Sequence, residues 1–214
     1  MLRQPLASPV TAQDLHRSLA LPRGCTMKLA GGRLRIDGGH DARSLAARLA
    51  WELPDEVRVE LYDERVVVAG APSREHDAAV EYLSRQFEPF AGSRGWTPHL
   101  APTVLMPRGP AYVRADLAFA RAGSPWPGEV LLGADLALVA EVAADPDPAD
   151  DRDLKRVFYA LSGVSCYVLF DLPRRQATLF DIPCDGDYQQ HVTVAFGTPL
   201  TLPDGLLLDT EAPA

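Results

Sequence analysis

Lysine is almost missing from this chain: of its 21 basic residues only Lys28 and Lys155 are lysines. Cysteine is scarce as well. Cys25, Cys166 and Cys184 lie far apart and never in CxxC spacing, which excludes a disulfide framework and a structural zinc site and points to a reducing cytoplasm. No apolar run approaches the roughly eighteen residues of a membrane-spanning helix. The opening "MLRQPLASPVTAQDLHRSLALP" holds no continuous apolar segment, so it does not read as a secretory signal. Neither GxxxxGK[ST] nor a strand–GxGxxG–helix unit occurs, and "GGRLRIDGG" is only superficially a glycine-rich cradle; a nucleotide cofactor is not expected. No Ser- or Cys-centred nucleophile motif is present.

The 214 residues are 47% hydrophobic and 23% charged, the balance of a soluble globular protein with a true core. A formal charge of −8 argues against a chain coated for non-specific duplex binding. One short region does concentrate cations: Arg152, Lys155, Arg156, Arg174 and Arg175.

Along the chain, Thr11 is placed to cap a helix "AQDLHRSLAL", and "KLAGGRLRIDGG" reads as a hairpin. Asp41 is placed to cap a helix, "ARSLAARLAWEL", in which Trp51 is expected to pack against the core. From Glu56 the period becomes two, and "VRVELYDERVVVAG" predicts a β-hairpin. Ser73 caps a longer helix, "REHDAAVEYLSRQFEPF". "YVRADLAFA" and "DLALVAEVAA" read as strands, with the segment between them as a loop. "RDLKRVFYALSG" is a helix stopped by Gly163, and "VSCYVLFD", "RRQATLFDI" and "HVTVAFG" follow as strands. The order predicts one α/β fold with a mixed sheet flanked by helices.

Two carboxylates stand out because they interrupt apolar strands. Glu141 lies inside "LALVAEVAA" and Asp116 inside "YVRADLAFA". A carboxylate buried without a partner costs several kcal/mol, so each needs a compensating group. Two strands each presenting one carboxylate suit a hard divalent cation, and a nearby ammonium suits charge developing on a phosphate. Asp151, Lys155 and Tyr159 recur at i, i+4 and i+8, one stripe of a helix that can overhang the strand bearing Glu141. Lysine offers a compact point charge where arginine would offer a planar fork. Glu60, inside "VRVELYD", and His76, early in the next helix, are further candidates.

These residues carry a resemblance. From "VELYDERVVVAGAPSREH" through "ADLAF" and "LVAEV" to "LKRVFYALSGVSCYVLFD" and the tail "TLFDIPCDGDYQQHVTVAFGTPLTLPDG", the chain resembles the bacterial family described as putative restriction endonucleases. That family is a branch of the PD-(D/E)XK nuclease superfamily. The resemblance implies a restriction-endonuclease-like domain over 55–214, with a four-stranded mixed core sheet, preceded by an N-terminal arm and helical extension over 1–54. It implies Mg²⁺- or Mn²⁺-dependent hydrolysis of DNA phosphodiester bonds, with Asp116 and Glu141 as metal ligands and Lys155 as the superfamily lysine. Glu60 would be an accessory acid, and His76, Asp151 and Tyr159 would support the site. Three departures are visible, one of them the loop "AADPDPAD" after Glu141, where relatives tend to have serines flanking a proline. Ala115 stands where the superfamily has its proline, and Ala143 occupies the strand position where the lysine ordinarily lies, so the lysine must come from the helix.

The alternative is a non-catalytic nucleic-acid-binding or protein-assembly module on the same fold; RNA or a small nucleotide also remains open as substrate. DNA is the expected partner, a homodimer the expected assembly, and no membrane is involved.

Overall fold

The computed structural model describes residues 9–38, 41–106, 111–124, 130–144 and 150–211. By contacts the chain forms two compact units: Met1–Pro72 with Gly109–Arg114, and Ser73–Arg108 with Ala115–Ala214. The contact boundary thus falls at Pro72, while the division expected from sequence lay at residue 54.

The first unit contains α1 (Ala12–Ser18), β1 (Thr26–Ala30), β2 (Arg33–Asp37), α2 (Ala42–Glu52), β3 (Arg58–Tyr62) and β4 (Arg65–Ala69), joined later by β7 (Tyr112–Arg114). Thr11 accepts from the Asp14 N–H and Asp14 reaches back to the Thr11 N–H, a capping box that fixes the start of α1. Asp41 stands at the N-cap of α2 but makes no capping hydrogen bond. The strands lie in the order β1-β2-β4-β3-β7. Alternation puts Leu34, Ile36, Val59, Leu61, Val66 and Val68 on one face, buried with Leu15, Leu45 and Leu49 of the helices. Trp51 does not join them; it is 90% exposed. The buried stripe of α2 runs through Ala42, Leu45, Ala46 and Leu49, and two residues beyond Leu49 the helix has turned by about 200°, away from the sheet.

The second unit opens with α3 (Arg74–Arg94), capped by Ser73, whose hydroxyl accepts from the His76 N–H at 3.1 Å. There follow β5 (Thr97–Leu100), β6 (Thr103–Leu105), β8 (Leu117–Ala120), β9 (Val130–Leu132), β10 (Leu136–Ala143), α4 (Lys155–Leu161), β11 (Cys166–Asp171), β12 (Gln176–Cys184), β13 (Asp187–Ala195), β14 (Leu200–Thr201) and β15 (Leu207–Leu208). Six strands make a mixed sheet in the order β13-β12-β11-β10-β8-β5. Strands β10 and β11 are parallel and joined through α4, the crossover that a parallel pair requires. On one face, Leu117, Phe119, Leu138, Ala140, Val142, Val168 and Phe170 form a core with Ala79, Leu83 and Phe87 of α3. The fold is α/β with mixed sheets flanked by helices, as expected, although the sheet of the second unit has six strands rather than four.

Three segments differ from expectation. "YVRADLAFA" is not one strand: Ala115 and Asp116 break it into β7 and β8, which belong to different units. The stretch expected as a loop before β10 contains β9 and a 3₁₀ turn over Gly133–Asp135. Helix α4 is preceded by a π-type turn over Asp150–Leu154, so the regular helix begins only at Lys155. No helix among the described residues is long and apolar enough to cross a membrane.

Gly133 is required by packing. A Cβ at this position would collide with the Ser162 Cβ, which cannot swing away as a side-chain tip can. Gly133→Ala is expected to lower stability by about 1–3 kcal/mol, the usual penalty of overpacking, in a urea titration.

Candidate active site

Glu141 lies in β10, all eight residues of which are buried, and it is 1% exposed. Both its oxygens are engaged by α4. Lys155 Nζ donates to Oε2 at 3.0 Å, and the Tyr159 hydroxyl donates to Oε1 at 2.5 Å. Lys155 is itself 1% exposed and Tyr159 fully buried. The crossover explains the convergence: α4 leads from β10 to its parallel neighbour, and residues 155 and 159, one turn apart, look down on the strand. Tyr159 is held from behind by Tyr167, with ring centroids 5.2 Å apart.

Asp116, 2% exposed, stands where the β8–β10 ladder ends. The last paired residues are Leu117 and Ala140, which leaves the Val142 N–H without a strand partner. Asp116 Oδ2 accepts that N–H at 2.8 Å. The carboxylate therefore meets β10 at the residue next to Glu141. Its other oxygen, Oδ1, lies 3.2 Å from His76 Nε2 at the start of α3, and His76 Nδ1 faces Asp77 at 3.2 Å. His76 is thus a bridge between an exposed and a buried carboxylate.

The region thus gathers Asp116, Glu141, Lys155, Tyr159 and His76. Asp151 cannot be placed with them, because its side chain lies outside the described residues. Glu60 belongs to the other unit, where it is buried and accepts from the Arg114 N–H at 3.1 Å and the Tyr62 hydroxyl at 3.0 Å. Burial and the Glu60 charge together raise the pKa of its neighbour Tyr112.

The cations between 152 and 175 do not form an open basic patch. Arg152 approaches Asp171 at 2.6 Å, Arg156 approaches Asp187 at 3.3 Å, and Arg174 offers its backbone N–H to Asp171 at 3.0 Å. Asp171 ends β11, paired in register with Ala143 two residues beyond Glu141. Sequence reasoning did not single out this buried Arg152–Asp171 pair. The available signal was akin to that at Glu141: an acid adjoining an apolar strand run, here at its end. Cys166 provides no nucleophile, since burial, reinforced by Asp181, drives its thiol pKa upward.

Magnesium and manganese take oxygen donors, commonly one or two carboxylates with water and phosphate oxygens completing the shell. Glu141 on β10 and Asp116, just before the neighbouring strand β8, are donors of that kind, so the set fits such a cation in chemical type. Among the described residues no group of three or more His, Cys, Asp or Glu side chains assembles around one point, so a cation held by described residues here would rest on two carboxylates. It would also compete with Lys155 for Glu141 and with His76 for Asp116.

A mixed sheet with a buried strand carboxylate facing a crossover helix, and a second carboxylate beside it, belongs to the restriction-endonuclease-like class of α/β folds. The sequence profile of the Uma2 family, described as "Putative restriction endonuclease", matches residues 45–214, and the chain belongs to that family. Among solved structures it is similar to "a putative nuclease belonging to DUF820 from Anabaena variabilis ATCC 29413". That likeness has a TM-score of 0.58 at 13% identity, covers 76% of this chain and 93% of the other, and is a likeness of fold. No curated protein matches the chain.

Proposed function

We propose that the protein is a divalent-cation-dependent endonuclease that hydrolyses DNA phosphodiester bonds at the Asp116–Glu141–Lys155 cluster. The observation that carries this reading is Lys155 Nζ at 3.0 Å from Glu141 Oε2, both buried, on a helix and strand of a chain whose family is described as "Putative restriction endonuclease". Asp116 and Glu141 would hold the cation, which when bound supplies a Lewis acid and lowers the pKa of water. With the cation on Glu141, the Lys155 ammonium would offer its positive charge to the phosphoryl oxygen as water adds to phosphorus and the bond to the leaving oxygen breaks. Tyr159 orients Glu141, and His76 orients Asp116. An accessory role for Glu60 rests on the resemblance alone.

The test compares wild type with Asp116→Asn, Glu141→Gln and Lys155→Met on supercoiled and linear DNA, in Mg²⁺, Mn²⁺ or chelator. Wild type should cut only with the cation, and each variant should lose at least about a hundredfold in rate. Equal cleavage by all four proteins points to a contaminant and ends the assignment.

A second reading, a non-catalytic module, is favoured by one observation: side-chain and backbone partners occupy both oxygens of Glu141 and of Asp116. Calorimetric titration with Mn²⁺ separates the two readings. Absence of binding at millimolar cation supports the module, whereas binding that Asp116→Asn abolishes supports the enzyme.

A further inference from the structure

A strand at the edge of a sheet exposes a row of backbone N–H and C=O groups, which proteins ordinarily protect by shortness, lysine, proline or a bulge. The sheet ends among the described residues follow that rule with one exception. Strand β1 carries Lys28, β5 carries Pro98, and β9, β14 and β15 are two or three residues long. Strand β13, which ends the six-stranded sheet, has nine residues, "DYQQHVTVA". From Tyr188 to Ala195 it contains no proline and no Lys, Arg, Asp or Glu, in a chain that is 23% charged. Its register with β12 runs without a shift from Gln176–Ala195 to Cys184–Asp187, so no bulge turns it aside. Gln189, Gln190, His191, Val192 and Thr193 are exposed in succession, Val192 to 51%.

The ladder fixes which backbone groups point outward. The Phe196 N–H donates to the Arg175 carbonyl at 3.0 Å, which continues the β12–β13 register and makes 175 and 196 a hydrogen-bonded pair. Bonded pairs alternate along an antiparallel ladder. Val194, Val192 and Gln190 therefore turn their backbone groups toward β12, while Ala195, Thr193, His191 and Gln189 turn theirs away. The Ala195 carbonyl is taken by the Thr198 N–H and the Thr210 hydroxyl. Thr193 reaches Thr178 through its side chain. The backbone N–H and C=O of Gln189, His191 and Thr193 have no partner among the described residues. The open strip is thus symmetric about His191.

We propose that β13 is a self-association edge, on which a second copy of this chain pairs antiparallel about a twofold axis through His191. That register sets 191 opposite 191 and 189 opposite 193, and every outward N–H and C=O of the strip finds a partner. It also places Gln190 beside Val192, so no like charges are opposed, in a chain whose net charge of −8 otherwise disfavours meeting its own copy. Twofold contact demands a self-complementary surface, and this strip is one. Because such an axis stands normal to the sheet, the sheet continues across the join with both Glu141–Lys155 pairs on the same face. Association through this edge is independent of DNA hydrolysis.

The test is sedimentation equilibrium of the full-length protein over roughly 1–100 µM, since association follows protomer concentration. Gln190→Lys/Val192→Lys sets lysine opposite lysine twice and should weaken association at least about tenfold. Gln190→Glu/Val192→Glu should do the same. An equimolar mixture of the two variants should dimerise again, which misfolded chains would not do. His191→Pro removes an outward N–H, leaves the β12 ladder intact, and should also give monomer. Leu100→Lys, on the opposite edge of the sheet, should associate like wild type. Dimerisation lost in each charge variant and restored on mixing upholds the proposal. A lysine variant that associates like wild type, a mixture that stays monomeric, or a wild type monomeric at the highest concentration overturns it. The last result would leave the edge to an extended segment of another protein.

Discussion

Lys155→Met should destabilise the protein by about 3–5 kcal/mol, and adding Glu141→Gln should restore most of that loss. The expectation follows from burial. Both residues are 1% exposed, so removing the ammonium leaves a carboxylate in the interior, still accepting from the Tyr159 hydroxyl but without its countercharge. Breaking a buried pair strands a charge and costs several kcal/mol, whereas replacing both members by neutral groups of similar shape is often close to neutral. Glutamine keeps an acceptor for Tyr159, and methionine fills the lysine volume without a charge. Urea unfolding of wild type, both single variants and the double variant gives the coupling directly. A double variant no more stable than the singles would mean that the pair is not the closed unit seen in the structure. The same double variant also isolates chemistry from stability, because it should be well folded and yet inert on DNA in Mn²⁺.

Much of this architecture was legible because the apolar period changes where the structure changes. Period two over "VRVELYDERVVVAG" gave the β3–β4 hairpin, and Thr11, Ser73 and Gly163 marked real helix ends. Position 116 was harder to read. "YVRADLAFA" looks continuous because each residue suits a strand, but the Asp116 carboxylate caps the ladder where the backbone leaves it. Such a tertiary contact leaves no periodic trace. Trp51 misled for a related reason. Residue type favoured the core, while its phase on α2 put it on the side opposite Leu49, and phase prevailed. Glu141 and Lys155 were found by incongruity, an acid in an apolar strand and a lysine in a chain of arginines. Asp171 is less conspicuous because it ends its strand, and its pairing with Arg152 is a tertiary contact.

The cation cluster between 152 and 175 shows why sequence proximity is a poor guide to a binding surface. Its members lie beside acids of the second unit: Lys155 with Glu141, Arg152 and Arg174 with Asp171, and Arg156 with Asp187.

Asp116→Ala and Asp116→Asn should differ sharply in stability and agree in activity. In the alanine variant the buried Val142 N–H loses its acceptor and His76 Nε2 loses its partner. One orphaned buried group costs about 1–3 kcal/mol, so alanine should cost at least that. Asparagine can still present an amide oxygen to Val142 while its amino group faces His76, so most of the fold's stability should survive. If Asp116 served only to terminate the ladder, asparagine would support every property of the wild type. If its charge is needed to hold a cation, asparagine will preserve the melting temperature and abolish both Mn²⁺ binding and cleavage. Thermal melts with and without Mn²⁺ read the two roles separately: the cation should raise the melting temperature of wild type and leave the asparagine variant unmoved. An asparagine variant that still cleaves DNA at the wild-type rate would remove Asp116 from the chemistry and leave it a purely structural acid.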